Sequence, residues 1–342
     1  MCGLPVDSFR MSSILTPRSA GGLRPGGRAI GRGRILVLLA AVACAGTRAS
    51  AAPPCPSADV WVASTRRLPG VCRLPDRAGL EVERLSGGDR GRWQRASVEE
   101  LLADSDRPLV VFVHGNRYAA GEAKSQGLQF ARLVATTCPD AGPVRTVVFS
   151  WPSDKQGVLL RDVRAKYGRA HADGHYLAWL LGRVDPERPV ALVGFSFGAL
   201  VSLQALKDLE AAAAAGVPWP ERPGRTNLVF VAPAVRCDAL SPRGPFRTGV
   251  EGVDGLTLVA NSADCALAFF PSVNRGDRAE ALGSTAMPRR WLPMEMEYSA
   301  VDAADVVGVQ HSLPPYFASG TLARRIAAGT VAGFATPAGR RE

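Results

Sequence analysis

The sequence predicts an α/β fold in which a mostly parallel central sheet is covered by helices on both faces. Short apolar runs of strand length alternate with longer segments of helical periodicity. Such continuous apolar runs are typical of parallel strands buried on both sides. Polar residues follow the ends of these runs, which is where parallel sheets carry their working loops. The runs are residues 109–113, 146–149, 190–193, 227–232 and 256–260.

Length and composition bound the class of protein. The chain has 342 residues, of which 46% are hydrophobic and 21% are charged, and this balance excludes a disordered chain. We expect a leader over residues 1–51 and a single domain over residues 52–342. The net charge is +10, but seven arginines lie in the leader against one acidic residue. The other arginines are spread without interleaved aromatic residues, so no nucleic-acid partner is expected.

Residues 1–51 have the pattern of an export signal. Arginines precede a short apolar stretch at residues 35–43, and small residues follow at residues 49–51. The stretch is too short to span a bilayer. A start at Met11 is an alternative beginning of this leader. We therefore expect an exported protein, periplasmic or extracellular. An alternative is lipoprotein processing before Cys44, which would attach the protein to the membrane of the cell envelope through a lipid.

The first elements of the domain are two strands and a short helix. Residues 58–67 and 80–85 alternate apolar and polar side chains, which predicts two antiparallel strands at an edge of the sheet. Ser97 suits the N-cap of the helix, and two glutamates in the first turn interact favourably with the helix dipole. A proline-containing turn then ends this helix before the first buried strand.

Helices are predicted between the buried strands. Residues 119–137 follow the first buried run, and residues 162–184 lead to the third. After the third run, Leu200, Leu203 and Leu206 recur at the spacing of one helix face.

A sharp turn joins the third buried run to its helix. Ser196 lies at this turn between Gly194 and Gly198, in the sequence GFSFG. A serine on a strained strand-to-helix turn needs small residues two positions before and after it, and the two glycines supply them. Gly-x-Ser-x-Gly alone is a weak signal, so the flanking strand and helix give this match its weight. The alternative is a glycine-softened connection without chemistry.

Several segments carry a resemblance to a group of enzymes. They are residues 60–66 (VWVASTR), 112–116 (FVHGN), 148–153 (VFSWPS) and 194–198 (GFSFG), with a weaker match at 260–267 (ANSADCAL). In this order they resemble the α/β-hydrolase superfamily, and most closely bacterial esterase- or lipase-like α/β hydrolases of uncharacterised function. The resemblance implies the α/β-hydrolase fold. Many of those relatives have His-Ser-Met-Gly at the strand-to-helix turn that carries the serine, which is called the elbow. This chain has phenylalanine on both sides of the serine, which makes the floor of the site more apolar.

The resemblance implies a catalytic serine, then a carboxylate, then a histidine, which is the chain order of the superfamily. Ser196 is the expected nucleophile. His311 is the only histidine after the elbow and is the expected base. Asp264 is the expected acid, because it follows the seventh predicted strand and the superfamily usually draws its acid from the loop after that strand. The alternatives are Asp238, Asp302 and Asp305.

The resemblance also places an oxyanion hole beside the serine, formed by the backbone N–H groups of Asn116 and Phe197. His114 is expected to be structural. Aromatic residues at strand ends are more often core than pocket. A segment at residues 236–255 is the one candidate for a lid, and its modest length favours an open cleft for small or medium ester substrates. The residues predicted to contact substrate are Arg117, Tyr118, Trp151 and Phe195.

No metal or organic cofactor is expected. His171 and His175 have the i, i+4 spacing of a metal pair, but no third ligand lies nearby in the sequence and a glycine intervenes. Five cysteines lie beyond the leader. Disulfides Cys237–Cys265 and Cys55–Cys72 are one prediction for an oxidising compartment, and free thiols are the alternative.

The sequence thus predicts an exported serine hydrolase that cleaves carboxylic esters through an acyl-enzyme. A peptidase or a thioesterase on the same fold is the alternative enzyme. From a different class, a catalytically inactive hydrolase scaffold that binds an envelope partner also fits the sequence, because fold and chemistry can separate.

Overall fold

A computed structural model describes residues 59–87, 91–103, 106–157, 159–216, 222–273 and 278–334. The predicted leader, with Cys44, lies outside the described residues, so export and lipidation stay predictions. Within the described ranges, no helix combines the length and the apolar character needed to cross a membrane.

Nine strands form one sheet in the described part of the chain. They are β1 (Asp59–Ser64), β2 (Glu81–Ser86), β3 (Arg92–Ala96), β4 (Leu109–Val113), β5 (Arg145–Ser150), β6 (Val190–Phe195), β7 (Thr226–Val231), β8 (Gly255–Ala260) and β9 (Glu297–Asp302). Their spatial order is β3-β2-β1-β5-β4-β6-β7-β8-β9. The β1–β2 and β2–β3 pairs are antiparallel, and the other neighbouring pairs are parallel.

Helices cover both faces of this sheet. They are α1 (Val98–Leu102), α2 (Ala120–Thr137), α3 (Leu159–Leu181), α4 (Phe197–Ala214), α5 (Cys265–Ala268), α6 (Ala304–Val307), α7 (Pro314–Ala318) and α8 (Gly320–Val331). Helix α3 packs against α4, and α2 packs against α8. The predicted fold class, a mostly parallel sheet between two helical layers, is confirmed.

The five central strands form the middle of the core. Every residue of β4, β5, β6, β7 and β8 is buried. Burial of one large aliphatic side chain contributes about 1.5 to 3 kcal/mol, so these apolar runs dominate the stability of the fold. Because they are parallel, their carboxyl ends lie at one edge of the sheet, where the loops after β4, β5, β6 and β8 converge.

The sheet differs from the sequence prediction at its first edge. Strands β1 and β2 are antiparallel, as predicted, with Trp61 opposite Arg84. However, β1 is not an edge strand, because its other side pairs in parallel with β5, with Ser64 opposite Ser150. The edge strand is β3, which the sequence analysis missed because Trp93 is its only large apolar side chain.

Helix α1 begins where the sequence predicts. The Ser97 hydroxyl accepts a hydrogen bond from the Glu100 N–H at 3.1 Å, and the Glu100 carboxylate accepts one from the Ser97 N–H at 2.7 Å. This reciprocal pair satisfies two donors that the first helical turn leaves free.

The cysteines differ from the predicted bridges. Cys237 and Cys265 are free thiols, so the predicted bridge between them is not formed. Cys72 is also free and exposed, and its predicted partner, Cys55, lies outside the described residues.

Candidate active site

The turn between β6 and α4 has a strained backbone. Ser196 has φ 54° and ψ −120°, a conformation that is costly for a residue with a Cβ. A Cβ at Gly194 would lie 2.5 Å from the Ala199 nitrogen, and one at Gly198 would lie 2.0 Å from the Val113 carbonyl oxygen. Only glycine fits at either position, so the sequence pattern reports a real steric requirement of this elbow.

A hydrogen-bond chain of three side chains lies above the elbow. The Ser196 hydroxyl donates to Nε2 of His311 at 2.8 Å, and Nδ1–H of His311 donates to Oδ2 of Asp264 at 2.6 Å. Ser196 and Asp264 are buried, whereas the imidazole between them is partly exposed. An arrangement of this kind can take a proton from the hydroxyl and hold the resulting imidazolium.

Local structure fixes the Asp264 carboxylate. Asp264 is the N-cap of α5, and its Oδ1 accepts hydrogen bonds from the N–H groups of Ala266 and Leu267. These bonds compensate for its burial and leave Oδ2 for the imidazole. The loop that carries His311 is tied down nearby, because the Cys265 N–H donates to the Val309 carbonyl at 3.2 Å.

The alternative acids are engaged elsewhere. Asp238 accepts two hydrogen bonds from the guanidinium of Arg236, at 2.8 and 2.7 Å, and these hold its pKa below the usual range. Asp302 accepts from the N–H and the hydroxyl of Ser262. Asp305 is exposed on α6. Among the four candidates, the structure brings Asp264 to the histidine.

An aromatic ring supports the imidazole from the core side. The Phe195 ring stacks on His311 with 5.2 Å between centroids, and it also contacts the rings of Tyr118 and Tyr316 edge-to-face. Phe195 is 2% exposed. Its observed contact is therefore with the histidine, so the predicted contact with substrate has almost no surface through which to act.

The loop after β4 lies directly against the elbow. A Cβ at Gly115 would lie 3.1 Å from the Ser196 Cβ, so the backbone passes beside the serine. Within the described residues, neither the Asn116 N–H nor the Phe197 N–H donates a hydrogen bond. Two free donors on either side of a serine can bind a developing oxyanion.

The His114 side chain hydrogen-bonds to this loop and to the loop after β5. Its Nδ1–H donates to the Gly115 carbonyl at 2.9 Å, and its Nε2 accepts from the Trp151 N–H at 3.2 Å. Burial lowers the pKa of His114 to about 3, so the ring is neutral and can play both roles. The Gly115–Asn116 peptide is planar, so a bond to its carbonyl also orients the Asn116 N–H.

The remaining predicted contact residues occupy different places. Trp151 has no exposed surface; its indole N–H donates to the His114 carbonyl and its ring stacks on the His114 ring, so it supports the loop from the core side. Arg117 is exposed and adopts φ 68°, with its N–H bonded to the Ser153 carbonyl. Tyr118 is partly buried next to Phe195.

Arg66 is the last residue of the motif at residues 60–66, and its contacts were not predicted from the sequence. Its guanidinium donates to the Ser150 hydroxyl at 2.8 Å, to the Tyr118 carbonyl at 2.8 Å and to the Asp154 carboxylate. One side chain thus joins the ends of β1 and β5 to the loop after β4. A charged residue after an apolar strand was the available signal, because a charge at the end of a buried strand needs partners.

The two histidines of α3 are tied to α4. Nδ1–H of His171 donates to the Gln204 side-chain oxygen at 2.7 Å, and Nδ1 of His175 bonds to the Asp208 carboxylate. The segment at residues 236–255, considered above as a lid, packs against α4: a Cβ at Gly249 would lie 2.8 Å from the Lys207 nitrogen. In the structure it therefore lies against this helix.

The parallel sheet, the strained serine elbow and the loops at the carboxyl ends of the strands define an α/β hydrolase. The particular group follows from its sequence: the chain belongs to the family described as alpha/beta hydrolase of unknown function (DUF900), whose profile matches residues 92–319.

Other comparisons are more distant. No curated protein matches the chain. Among solved structures, it is similar to a C6-C4 SN3 inhibited esterase B from Lactobacillus rhamnosis, at 13% identity over 73% of this chain and 80% of that chain, with a TM-score of 0.34. It is also similar to a protein described as a carboxylesterase from Lactobacillus plantarum WCFS1, at 12% identity over 71% and 89%, with a TM-score of 0.30. TM-scores below 0.5 carry no argument about activity.

Proposed function

We propose that this hydrolase is an exported serine carboxylic-ester hydrolase that works through an acyl-enzyme. The observation that supports it most is the hydrogen-bond chain from Ser196 through His311 to Asp264, at 2.8 and 2.6 Å. Its supporting features are the free donors of Asn116 and Phe197 beside the serine.

In the first half of the reaction, Ser196 Oγ attacks the ester carbonyl carbon while its proton passes to Nε2 of His311. The carbonyl oxygen becomes an oxyanion, which the Asn116 and Phe197 N–H groups bind. The tetrahedral intermediate then expels the alcohol, which takes the proton from His311. Asp264 keeps the imidazole in the required tautomer and stabilises the imidazolium.

In the second half, a water molecule occupies the place of the departed alcohol. His311 removes a proton from this water molecule while the water oxygen attacks the acyl carbon. The second tetrahedral intermediate expels Ser196 Oγ, which recovers the proton from His311, and the carboxylic acid leaves. These steps use only side chains, backbone donors and water.

Labelling tests whether the site is chemically active. A fluorophosphonate should label the wild-type protein and should not label Ser196→Ala. Ser202→Ala is a matched control, because Ser202 lies on the same helix with its hydroxyl bonded to the Gly198 carbonyl at 2.9 Å, and it should keep the label. Absence of labelling in the wild type would favour the inactive scaffold that binds an envelope partner.

Two aspartate variants test the acid. Asp264→Asn should lower ester turnover by about 10³ to 10⁴-fold with a small change in thermal melting. Asp238→Asn should retain near-normal turnover, because Asp238 is bonded to Arg236. Near-normal turnover in Asp264→Asn with a large loss in Asp238→Asn would reverse this assignment. A chain-length series of ester, thioester and peptide substrates separates the esterase from the thioesterase and the peptidase.

Export is proposed on the leader alone. The arginines, the short apolar stretch and the small residues of residues 1–51 support it. Cell fractionation and intact mass measure it: removal near residue 51 is the expected result for soluble export, and a diacylglyceryl adduct on Cys44 is the expected result for a lipid anchor. Retention of the whole leader in the cytoplasm would contradict both.

A further inference from the structure

A cavity of about 360 Å³ lies beside the elbow, between α3, α4 and the segment after β7. Two contacts join residues of its wall to the elbow. The Ala234 N–H donates to the Ser196 carbonyl at 3.1 Å, and the next residue, Val235, lines the cavity. Tyr167, another lining residue, contacts the Phe197 ring edge-to-face at 6.0 Å.

Two cations in this cavity have no acidic partner among the described residues. They are Lys207 on α4 and Arg243 in the segment after β7. Arg236 also lines the cavity, but it is paired with Asp238. The nearby acid Asp208 is bonded to Gln204 and His175. The described residues that line the cavity therefore include three cationic side chains and no acidic one.

Three aromatic rings, those of Tyr167, His171 and Phe246, form part of the remaining cavity wall. The buried Phe246 ring stacks on His171 with 6.2 Å between centroids, and the Lys207 ammonium lies 5.7 Å from the Phe246 centroid. Burial lowers the pKa of His171, so this ring adds no charge at neutral pH. An apolar wall beside unpaired cations suits an organic group that carries a carboxylate.

We propose that this basic cavity binds a carboxylate carried by the ester substrate, so that the enzyme prefers anionic esters to neutral esters of the same size. The inference rests on the proposed esterase function. Lys207 and Arg243 hold the carboxylate, Phe246 and Tyr167 pack against the carbon chain, and the ester group reaches Ser196. Attraction in a partly enclosed cavity is stronger than on an open surface, because less water screens it.

Matched esters test this preference on both sides of the scissile bond. On the acyl side, mono-4-nitrophenyl glutarate is compared with 4-nitrophenyl pentanoate; on the alcohol side, 4-carboxyphenyl butanoate is compared with phenyl butanoate. In at least one pair, kcat/KM for the anionic ester should exceed that for the neutral ester by about tenfold. The pair that shows the preference identifies the side of the ester that enters the cavity.

Charge variants show whether the cavity causes the preference. Lys207→Gln and Arg243→Gln should each lower the anionic-to-neutral ratio of kcat/KM by about fivefold to tenfold, and the exposed Arg243→Glu should lower it further. Arg290→Gln is the matched control. Arg290 is exposed in a short 3₁₀ helix that precedes β9 and does not line the cavity, so its loss should leave the ratio unchanged. A ratio that survives all three cavity variants would overturn the proposal.

Binding without reaction separates this proposal from the esterase assignment. Calorimetry of Ser196→Ala with glutarate should show binding that is lost when Arg243→Glu is added. If glutarate binds in this way but no ester is cleaved, carboxylate binding by the cavity stands, whereas the esterase assignment and the preference for anionic esters fail. If neutral esters are cleaved, anionic esters have no advantage and glutarate does not bind, the esterase assignment stands and the cavity proposal fails.

Discussion

His114 makes the folded protein sensitive to acid. Its imidazole is fully buried and its pKa is lowered from 6.5 to about 3 by burial. Between these two values the unfolded chain binds a proton that the folded protein does not bind. Stability therefore falls as the pH decreases through this window, and the contribution is fully present above pH 6.5.

The size of the effect follows from these two values. At about 1.4 kcal/mol per pH unit, the difference between 6.5 and about 3 sets an upper limit of about 5 kcal/mol. At pH 5 the loss is smaller, about 2 kcal/mol relative to pH 8, because pH 5 lies only about 1.5 units below 6.5 and less than half of the interval down to about 3 has been crossed. This is a large fraction of the stability of an ordinary domain.

Chemical denaturation at pH 8 and pH 5 measures the effect. His114→Gln removes the titrating group, so its loss of unfolding free energy over this range should be about 2 kcal/mol smaller than that of the wild type. Comparing the two losses cancels the contributions of other groups, including His171. Nitrogen-15 chemical shifts of the His114 ring should show a neutral imidazole at pH 5. Equal losses in the two proteins, or a protonated His114 ring at pH 5, would refute this reasoning.

Three further predictions concern a glycine of the elbow, the Arg66 guanidinium and the N-cap of α1. Gly198→Ala should abolish activity and lower the free energy of unfolding by several kcal/mol, because the added Cβ meets the Val113 carbonyl. Gly168→Ala, which adds a Cβ to open space beside α3, should be neutral or should stabilise the protein by up to about 1 kcal/mol. Thermal melts compare the two variants. Arg66→Lys keeps the charge but cannot donate to both Ser150 and Tyr118 as the guanidinium does, so the unfolding free energy measured in urea should fall by about 1 to 3 kcal/mol. An unchanged unfolding free energy would show that these hydrogen bonds do not stabilise the fold. Ser97→Ala should cost about 0.5 to 2 kcal/mol by the same measurement, and a neutral result would show that the cap is not formed.

Much of the fold could be predicted because the apolar runs are local signals. A run such as residues 227–232 reports burial on both faces, whatever its neighbours are. The edge of the sheet could not be predicted in the same way. That β1 lies inside the sheet depends on its pairing with β5, more than eighty residues away, and no local pattern encodes that partner.

The candidate site divides along the same line. The strain at Ser196 and the clash of a Gly194 Cβ with Ala199 act within a few residues, so they are visible in the sequence, whereas the atoms that exclude a Cβ at Gly198 belong to Val113 of β4. The choice of Asp264 over Asp238 came from the resemblance, because both residues follow a strand of the sheet and no local pattern separates them. It depends on which carboxylate turns inward: Asp264 caps α5 and reaches His311, whereas Asp238 turns to Arg236.

The sequence by itself determined which segments are buried, where the chain turns sharply and in which order the serine, the carboxylates and the last histidine occur. These properties depend on the chemistry of neighbouring residues. Only the tertiary structure decided which distant groups meet: Phe195 under His311, Arg66 across three loops, and Lys207 with Arg243 in one cavity. Such meetings depend on the path of the chain between elements and on the directions in which side chains leave them, which residue order alone does not fix.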